Sequence, residues 1–206
     1  EVDTVHLGAW PRATFDRFGG FDETLVRNQD DEHNLRIHKG GGRIWQSATI
    51  RSTYVPRASK ADVFRQYRQY GYWKPFVMKK HGQPAALRHL VPGLFVGLLL
   101  LSLLVMLIGA LALAAWAPEA GTLASDVLGW ITLLSSLVLM GLSLLYGGAV
   151  LAVSVAIARQ QGWALWRHLP DVIGAYQLGY GLGSLRGWWD ALVRGRPDPS
   201  FGRLTR

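Results

Sequence analysis

Two stretches of this chain have no polar face at all. From Leu90 to Pro118 no side chain carries a charge, and from Val127 to Ala158 again none does. A hydrocarbon core of roughly 30 Å needs about twenty apolar residues in a helix, and both runs satisfy it. A buried helix of a soluble domain seldom continues beyond about fifteen residues without a polar stripe. Two transmembrane helices are therefore expected, over 91–117 and 127–158. The second run would measure roughly 48 Å at about 1.5 Å per residue, so it must tilt, kink or protrude, with Gly147-Gly148 as the expected kink.

Upstream, the pattern changes to that of a folded domain. Trp10-Pro11 opens a short helix through Phe15 and Phe18, closed by Gly19-Gly20. A second helix starts near Asp30, with acidic residues in its first turn and Lys39-Gly40-Gly41 at its end, as the macrodipole favours. Two strands follow, Arg43 to Gln46 and Ile50 to Val55, the second ended by Pro56. Lys60 to Lys80 reads as a third helix with Val63, Tyr67, Tyr70, Lys74 and Val77 on one face, the pattern of a helix lying in a membrane interface. Residues 159–206 form a basic tail rich in Gly and aromatics. Within it Gly174 to Gly187 reads as interfacial or re-entrant, because glycine weakens a helix.

Charge adds an orientation. The loop from Ala117 to Asp126 contains Glu119 and Asp126 and no Lys or Arg, whereas Arg88, Arg159, Arg167, Arg186, Arg194 and Arg196 lie on the outer flanks. Both termini are expected on the cytoplasmic side. The formal net charge of +8 is placed beside apolar spans, where anionic lipid is the nearer partner, and no nucleic-acid partner is expected. With no cysteine, disulfides, thiolate metal sites and Cys nucleophiles are excluded. The chain begins Glu-Val-Asp without an initiator Met and reads as a piece of something longer.

The candidate chemistry lies in Arg27-Asn28-Gln29-Asp30-Asp31-Glu32. Three adjacent carboxylates repel one another, which would raise at least one pKa and equip that group as a general base. The plainer alternative is a helix start whose acids complement the dipole. His6 is either a metal ligand or a satisfied core histidine, and His33 and His38 read as surface residues.

Several blocks stand in a set order: Val2-Asp3-Thr4-Val5 with Gly8; Gly19-Gly20-Phe21-Asp22-Glu23; Arg27 to Glu32 with Asn34 and Arg36; Tyr54-Val55-Pro56-Arg57; Gln69-Tyr70-Gly71-Tyr72-Trp73-Lys74; and Leu169-Pro170 before Gly179-Tyr180-Gly181-Leu182-Gly183. Together they resemble the inverting family 2 glycosyltransferases with a GT-A fold, and among these the bacterial membrane-bound exopolysaccharide enzymes of the succinoglycan-synthesis type.

The resemblance implies an α/β fold for residues 1–59, as the C-terminal, acceptor-side part of a GT-A domain. An amphipathic interfacial helix and linker follow over 60–90, and then an all-α membrane region with two transmembrane helices. It implies Asp30 as the catalytic base, although Asp31 also fits, with Gln29 where many members have Glu and with Glu32 and Arg36 in support. Gly8, Arg27, Gln29, Arg36, Gln69 and Trp73 become candidate acceptor- or donor-binding residues. Gln69 and Trp73 keep the spacing of the Gln-x-x-Arg-Trp motif of processive synthases, but Tyr72 occupies the Arg position. An aromatic can stack on a sugar and cannot neutralise a pyrophosphate.

By the same resemblance the partners are a nucleotide-sugar donor, a polyprenyl-linked glycan acceptor and membrane lipids, and the location is the bacterial inner membrane. A divalent metal, Mg²⁺ or Mn²⁺, belongs to the nucleotide-binding half with its Asp-x-Asp pair. That half has no counterpart here, so no metal is expected on these residues alone. The rival class is a non-catalytic membrane anchor or scaffold subunit of a polysaccharide synthase. A small transporter half ranks last, because the spans carry only hydroxyl-bearing polar residues.

Overall fold

The computed structural model describes residues 1–5, 8–84, 86–115 and 121–203; His6 lies outside them. Among the described residues six α-helices carry the fold: α1 Arg12–Phe18, α2 Gln29–Lys39, α3 Lys60–His81, α4 Val91–Ala115, α5 Leu123–Gln161 and α6 Leu169–Trp189. A π-helical turn, Asp190–Arg194, and a short 3₁₀ turn, Pro199–Phe201, follow α6. The chain divides into two compact units, Glu1–Gly93 with Ala175–Arg206, and Leu94–Gly174.

The expected α/β fold class is overturned, since the described residues are mostly helical and contain no strand or sheet. What remains of β structure is a single antiparallel bridge between Val2 and Ile44. A strand is stable only where a neighbour takes up its backbone N–H and C=O groups. The segment expected as Ile50 to Val55 joins no strand or bridge among the described residues, and Ile50 and Val55 are 78% and 83% exposed. β-branched residues favour an extended backbone, but without a partner they do not make a strand.

In the first unit the architecture rests on α3 and the part of α6 from Ala175 onward. The glycines of α6 do not break the helix; they form its contact face. A Cβ built on Gly179, Gly183 or Gly187 would stand 2.6, 2.1 and 2.2 Å from the carbonyl oxygens of Phe64, Arg68 and Tyr72. Both series advance four residues at a time in the same sense, so the two helices run parallel with their backbones in contact. From α3, Gly71 answers with the same fit, a Cβ there falling 2.1 Å from the Tyr180 carbonyl. Small residues spaced by four allow such an approach and the Cα–H···O contacts that accompany it.

Around this seam lies the core: Leu25, Leu35, Tyr72, Trp73, Val77 and Phe201. The chain after α6 returns to cover α3. Phe201 stacks on Tyr72 at 3.7 Å between ring centroids, and the Trp73 indole donates to the Phe201 carbonyl at 3.3 Å. The Tyr72 hydroxyl donates to Asp190 Oδ2 at 2.7 Å and accepts from the Asp198 amide at 2.6 Å. Burial, with Asp190 and Asp198 adjacent, pushes its pKa up. Tyr72 is fully enclosed, so the aromatic that could stack on a sugar is packed within the protein instead. Tyr72→Phe removes the hydroxyl shared by buried Asp190 and half-buried Asp198, and a loss of about 1–3 kcal/mol is expected, read by urea unfolding in detergent.

In the second unit α4 and α5 form an antiparallel pair. Phe95 meets Tyr146 at 4.9 Å, and Gly109 faces Thr132, where a Cβ would come within 2.1 Å of the hydroxyl. The hydroxyls of Thr132, Ser135, Ser136 and Ser143 donate to carbonyls four residues back at 2.7–2.8 Å, which satisfies them without any outside partner. Two helical segments, Leu87–Ala115 and Leu123–Gln161, are long and apolar enough to cross a membrane. Most of their leucines remain exposed, unlike those of a core helix in a soluble domain. α5 continues through Gly147 and Gly148 without interruption.

Candidate functional site

The loop into α2 is pinned before the helix begins. Asn28 adopts a left-handed conformation, φ 65°, which Asn tolerates better than other residues with a Cβ. Its amide donates to the Tyr70 carbonyl at 3.0 Å. Arg27 donates through Nε to Gln69 Oε1 at 3.2 Å and lies over the Tyr70 ring. Gln29 turns back to the Leu25 carbonyl at 2.6 Å. The first turn of α2 is thereby fixed against α3.

Within that turn the three acids do not converge. Successive residues of a helix point about 100° apart, so Asp30, Asp31 and Glu32 fan out into different surroundings. Asp30 is exposed. Asp31 is paired with Lys74, both side chains being largely buried. Burial pulls the Lys74 ammonium down to about 8, with the Asp30 carboxylate pushing the other way.

Glu32 is completely enclosed and accepts from Arg36 at 2.9 Å, Lys80 at 2.9 Å and His81 at 2.8 Å. Burial alone would raise its pKa, but the hydrogen bonds from Lys80 and His81 and the charge of Arg36 outweigh it and hold the carboxylate below its ordinary value. The expected mutual repulsion of the cluster is therefore replaced, at Glu32, by pairing with cations. Lys80 also bonds Asp22 at 2.6 Å; this hydrogen bond, with those from Thr24, lowers Asp22 to about 2. Arg36 continues from Glu32 to the carbonyls of Phe18 and Gly20, joining the α1–α2 turn to the same knot.

Other candidate residues occupy structural positions. Trp73 is 3% and Gln69 5% exposed; Gln69 holds Arg27 on one side and the Arg203 carbonyl on the other. Gly8 lies against the Trp10 ring, where a Cβ would come within 2.6 Å of a ring carbon. The expectation that His33 lies on the surface is corrected. It is fully buried in a box of Trp10, Phe15 and Phe21, with ring centroids 5.2–5.5 Å away, and neither ring nitrogen has a hydrogen-bond partner. Burial, with the charge of Arg36, lowers its pKa. His38 is half-buried and its Nε2 lies 3.2 Å from the Asp3 carbonyl.

Lys74, Lys80 and His81, the side chains that answer the acids, are supplied by α3, some forty to fifty residues away in sequence. Their positions along α3 offered the one local signal, a basic last turn. Among the described residues no group of three His, Asp or Glu is placed to hold a metal ion. The residues here do not fit that role.

The arrangement leaves one exposed carboxylate on a braced helix start whose two neighbours are neutralised. Comparison with known proteins adds one relative: the chain is 36% identical, over 78 residues, to the succinoglycan biosynthesis protein ExoA of Rhizobium meliloti (strain 1021). The match covers 38% of this chain and 24% of that protein, so the chain spans about a quarter of the relative it matches. No family model matches, and no solved structure does. What can be said plainly is that part of this chain is similar to part of a protein of succinoglycan biosynthesis.

Proposed function

We propose that the chain is the acceptor-side part of a membrane-bound glycosyltransferase of cell-surface polysaccharide synthesis, of the inverting family 2 type, working on the cytoplasmic side of a bacterial inner membrane. The observation that carries this reading is Asp30: an exposed carboxylate at the rigid start of α2, beside an Asp31 already paired with Lys74 and a Glu32 already engaged by Arg36, Lys80 and His81. The likeness to the succinoglycan biosynthesis protein, the two apolar helices and the arginines on their outer flanks support it.

In this reaction the Asp30 carboxylate takes the proton from an acceptor hydroxyl. The hydroxyl oxygen attacks the anomeric carbon of a nucleotide-sugar, and the nucleoside diphosphate departs from the opposite face with the bonding electrons. A polyprenyl-linked glycan is the proposed acceptor. Glu32 and Arg36 act as positioning residues, since they fix the α1–α2 turn and do not reach solvent as Asp30 does.

The test is transfer from a labelled nucleotide-sugar by full-length protein in native membranes. Asp30→Asn is expected to lower turnover by roughly 10²–10⁴-fold with donor affinity unchanged. Asp31→Asn, which unpairs Lys74, is expected to act on stability first. Undiminished transfer by the Asp30→Asn protein sinks the assignment and favours a scaffold.

A further inference from the structure

Lys74 places a cationic side chain on the closed face of α3. It is 6% exposed, and an ammonium so enclosed stays charged only through the groups around it. Those groups come from three parts of the chain. Asp30 and Asp31 belong to the first turn of α2, Asp3 to the N-terminal segment, and Arg88 and His89 to a 3₁₀ turn, Leu87–His89, that follows α3. Asp31 accepts a hydrogen bond from the Lys74 ammonium, whereas Asp3 is taken by Arg88. Asp30 lies within the field of the same ammonium and is open to solvent.

One ammonium therefore serves two neighbouring carboxylates in different ways. With Asp31 it forms a largely buried ion pair; on Asp30 it acts through space. Two adjacent carboxylates with no cation beside them compete for one proton, and neither is then a defined base. Burial also makes this charge easy to lose. It pulls Lys74 down to about 8 against the opposing pull of Asp30, so the ammonium disappears as pH rises through that value.

We propose that Lys74 is a positioning residue of the site: it neutralises Asp31, faces Asp30 and leaves a single carboxylate to take up the acceptor proton, so the site works only while this ammonium is charged. The proposal rests on the reading of Asp30 as the base, and it gives that base an alkaline limit.

The test is the pH profile of transfer from a labelled nucleotide-sugar by full-length protein in native membranes. For the wild type, kcat is expected to fall by about tenfold per pH unit above about 8. Lys74→Met should lower kcat by roughly 10–10²-fold at neutral pH, with the donor KM within about twofold of wild type. Lys74→Arg, whose guanidinium keeps its proton at these pH values, should recover part of that loss and carry the alkaline fall to higher pH. Lys74→Met with Asp31→Asn removes the uncompensated carboxylate as well, and should transfer faster than Lys74→Met alone. A lysine with a merely structural role would not move the alkaline fall. Thermal melts in detergent show which variants fold; if Lys74→Met does not, the Lys74→Arg profile decides. The proposal is overturned if Lys74→Met transfers as the wild type does, or if Lys74→Arg and the wild type lose activity at the same alkaline pH. Either result, beside lost transfer in Asp30→Asn, overturns this inference alone; undiminished transfer in Asp30→Asn overturns the base and this inference with it.

Discussion

Gly183→Leu is expected to leave the first unit unable to fold. A Cβ at this position would stand 2.1 Å from the Arg68 carbonyl oxygen, and that atom belongs to a helix backbone that cannot rotate away as a side chain can. The helices would have to separate, which also opens the contacts at Gly179 and Gly187 and lifts α6 from the Tyr72 core. Overpacking a closed interior ordinarily costs about 1–3 kcal/mol; here the strain falls on a shared seam, and at least about 3 kcal/mol is expected. Gly174, in the same helix, has nothing within 4 Å of its would-be Cβ. Gly174→Ala should therefore be neutral or stabilising by up to about 1 kcal/mol. Size-exclusion profiles and thermal melts in detergent distinguish the two. A Gly183→Leu protein that melts as the wild type does would refute the close parallel packing.

Glu32→Ala is expected to be the most damaging single change among the acids. It removes the enclosed carboxylate that Arg36, Lys80 and His81 share, and with it the hydrogen bonds that tie α2 to the end of α3, at a cost of about 1–3 kcal/mol or more. The same pairing gives stability a signed dependence on pH. Glu32 and Asp22 titrate below their ordinary values of 4.5 and 3.8. Each contributes fully above that ordinary value and loses its contribution as pH falls through the folded value, which for Asp22 is about 2. His33 acts earlier. Its folded pKa is depressed below 6.5, so the unfolded chain takes up the extra proton and stability begins to fall once pH drops below that point. Urea unfolding across this range should show a shallow loss below about 6.5 that His33→Phe reduces, and a steeper one below about 4.5 that Glu32→Ala reduces.

What could be read from the sequence was whatever depends on near neighbours. The limits of α2 follow from its acidic first turn and Lys39-Gly40 at its end, and the helix runs Gln29–Lys39. Val91–Ala115 of the first apolar run and the whole of the second are helical, as α4 and α5, because length and lack of charge suffice to define them; residues 116–118 of the first lie outside the described residues. Features that need a distant partner were hidden. Ile50 to Val55 has strand composition, yet pairing decides, and it joins no strand or bridge among the described residues. Gly179, Gly183 and Gly187 suggest weakness until the carbonyls of α3 are set against them. The three acids look like one site in the sequence, and the helix turns them toward unrelated partners.

The contact between Trp73 and Phe201 joins residues 128 positions apart, with the whole apolar hairpin encoded between them. At ribosomal speeds of about 5–20 residues per second, that interval lasts on the order of ten seconds. During it, α3 is already made while the aromatic cover for its core does not yet exist. The hairpin therefore leaves the ribosome before the domain can close, and the slow, non-local step falls last. A nascent chain arrested before Phe201 should expose Tyr72 and Trp73 to chaperones, so maturation of this protein depends on the order in which its parts emerge as well as on their final packing.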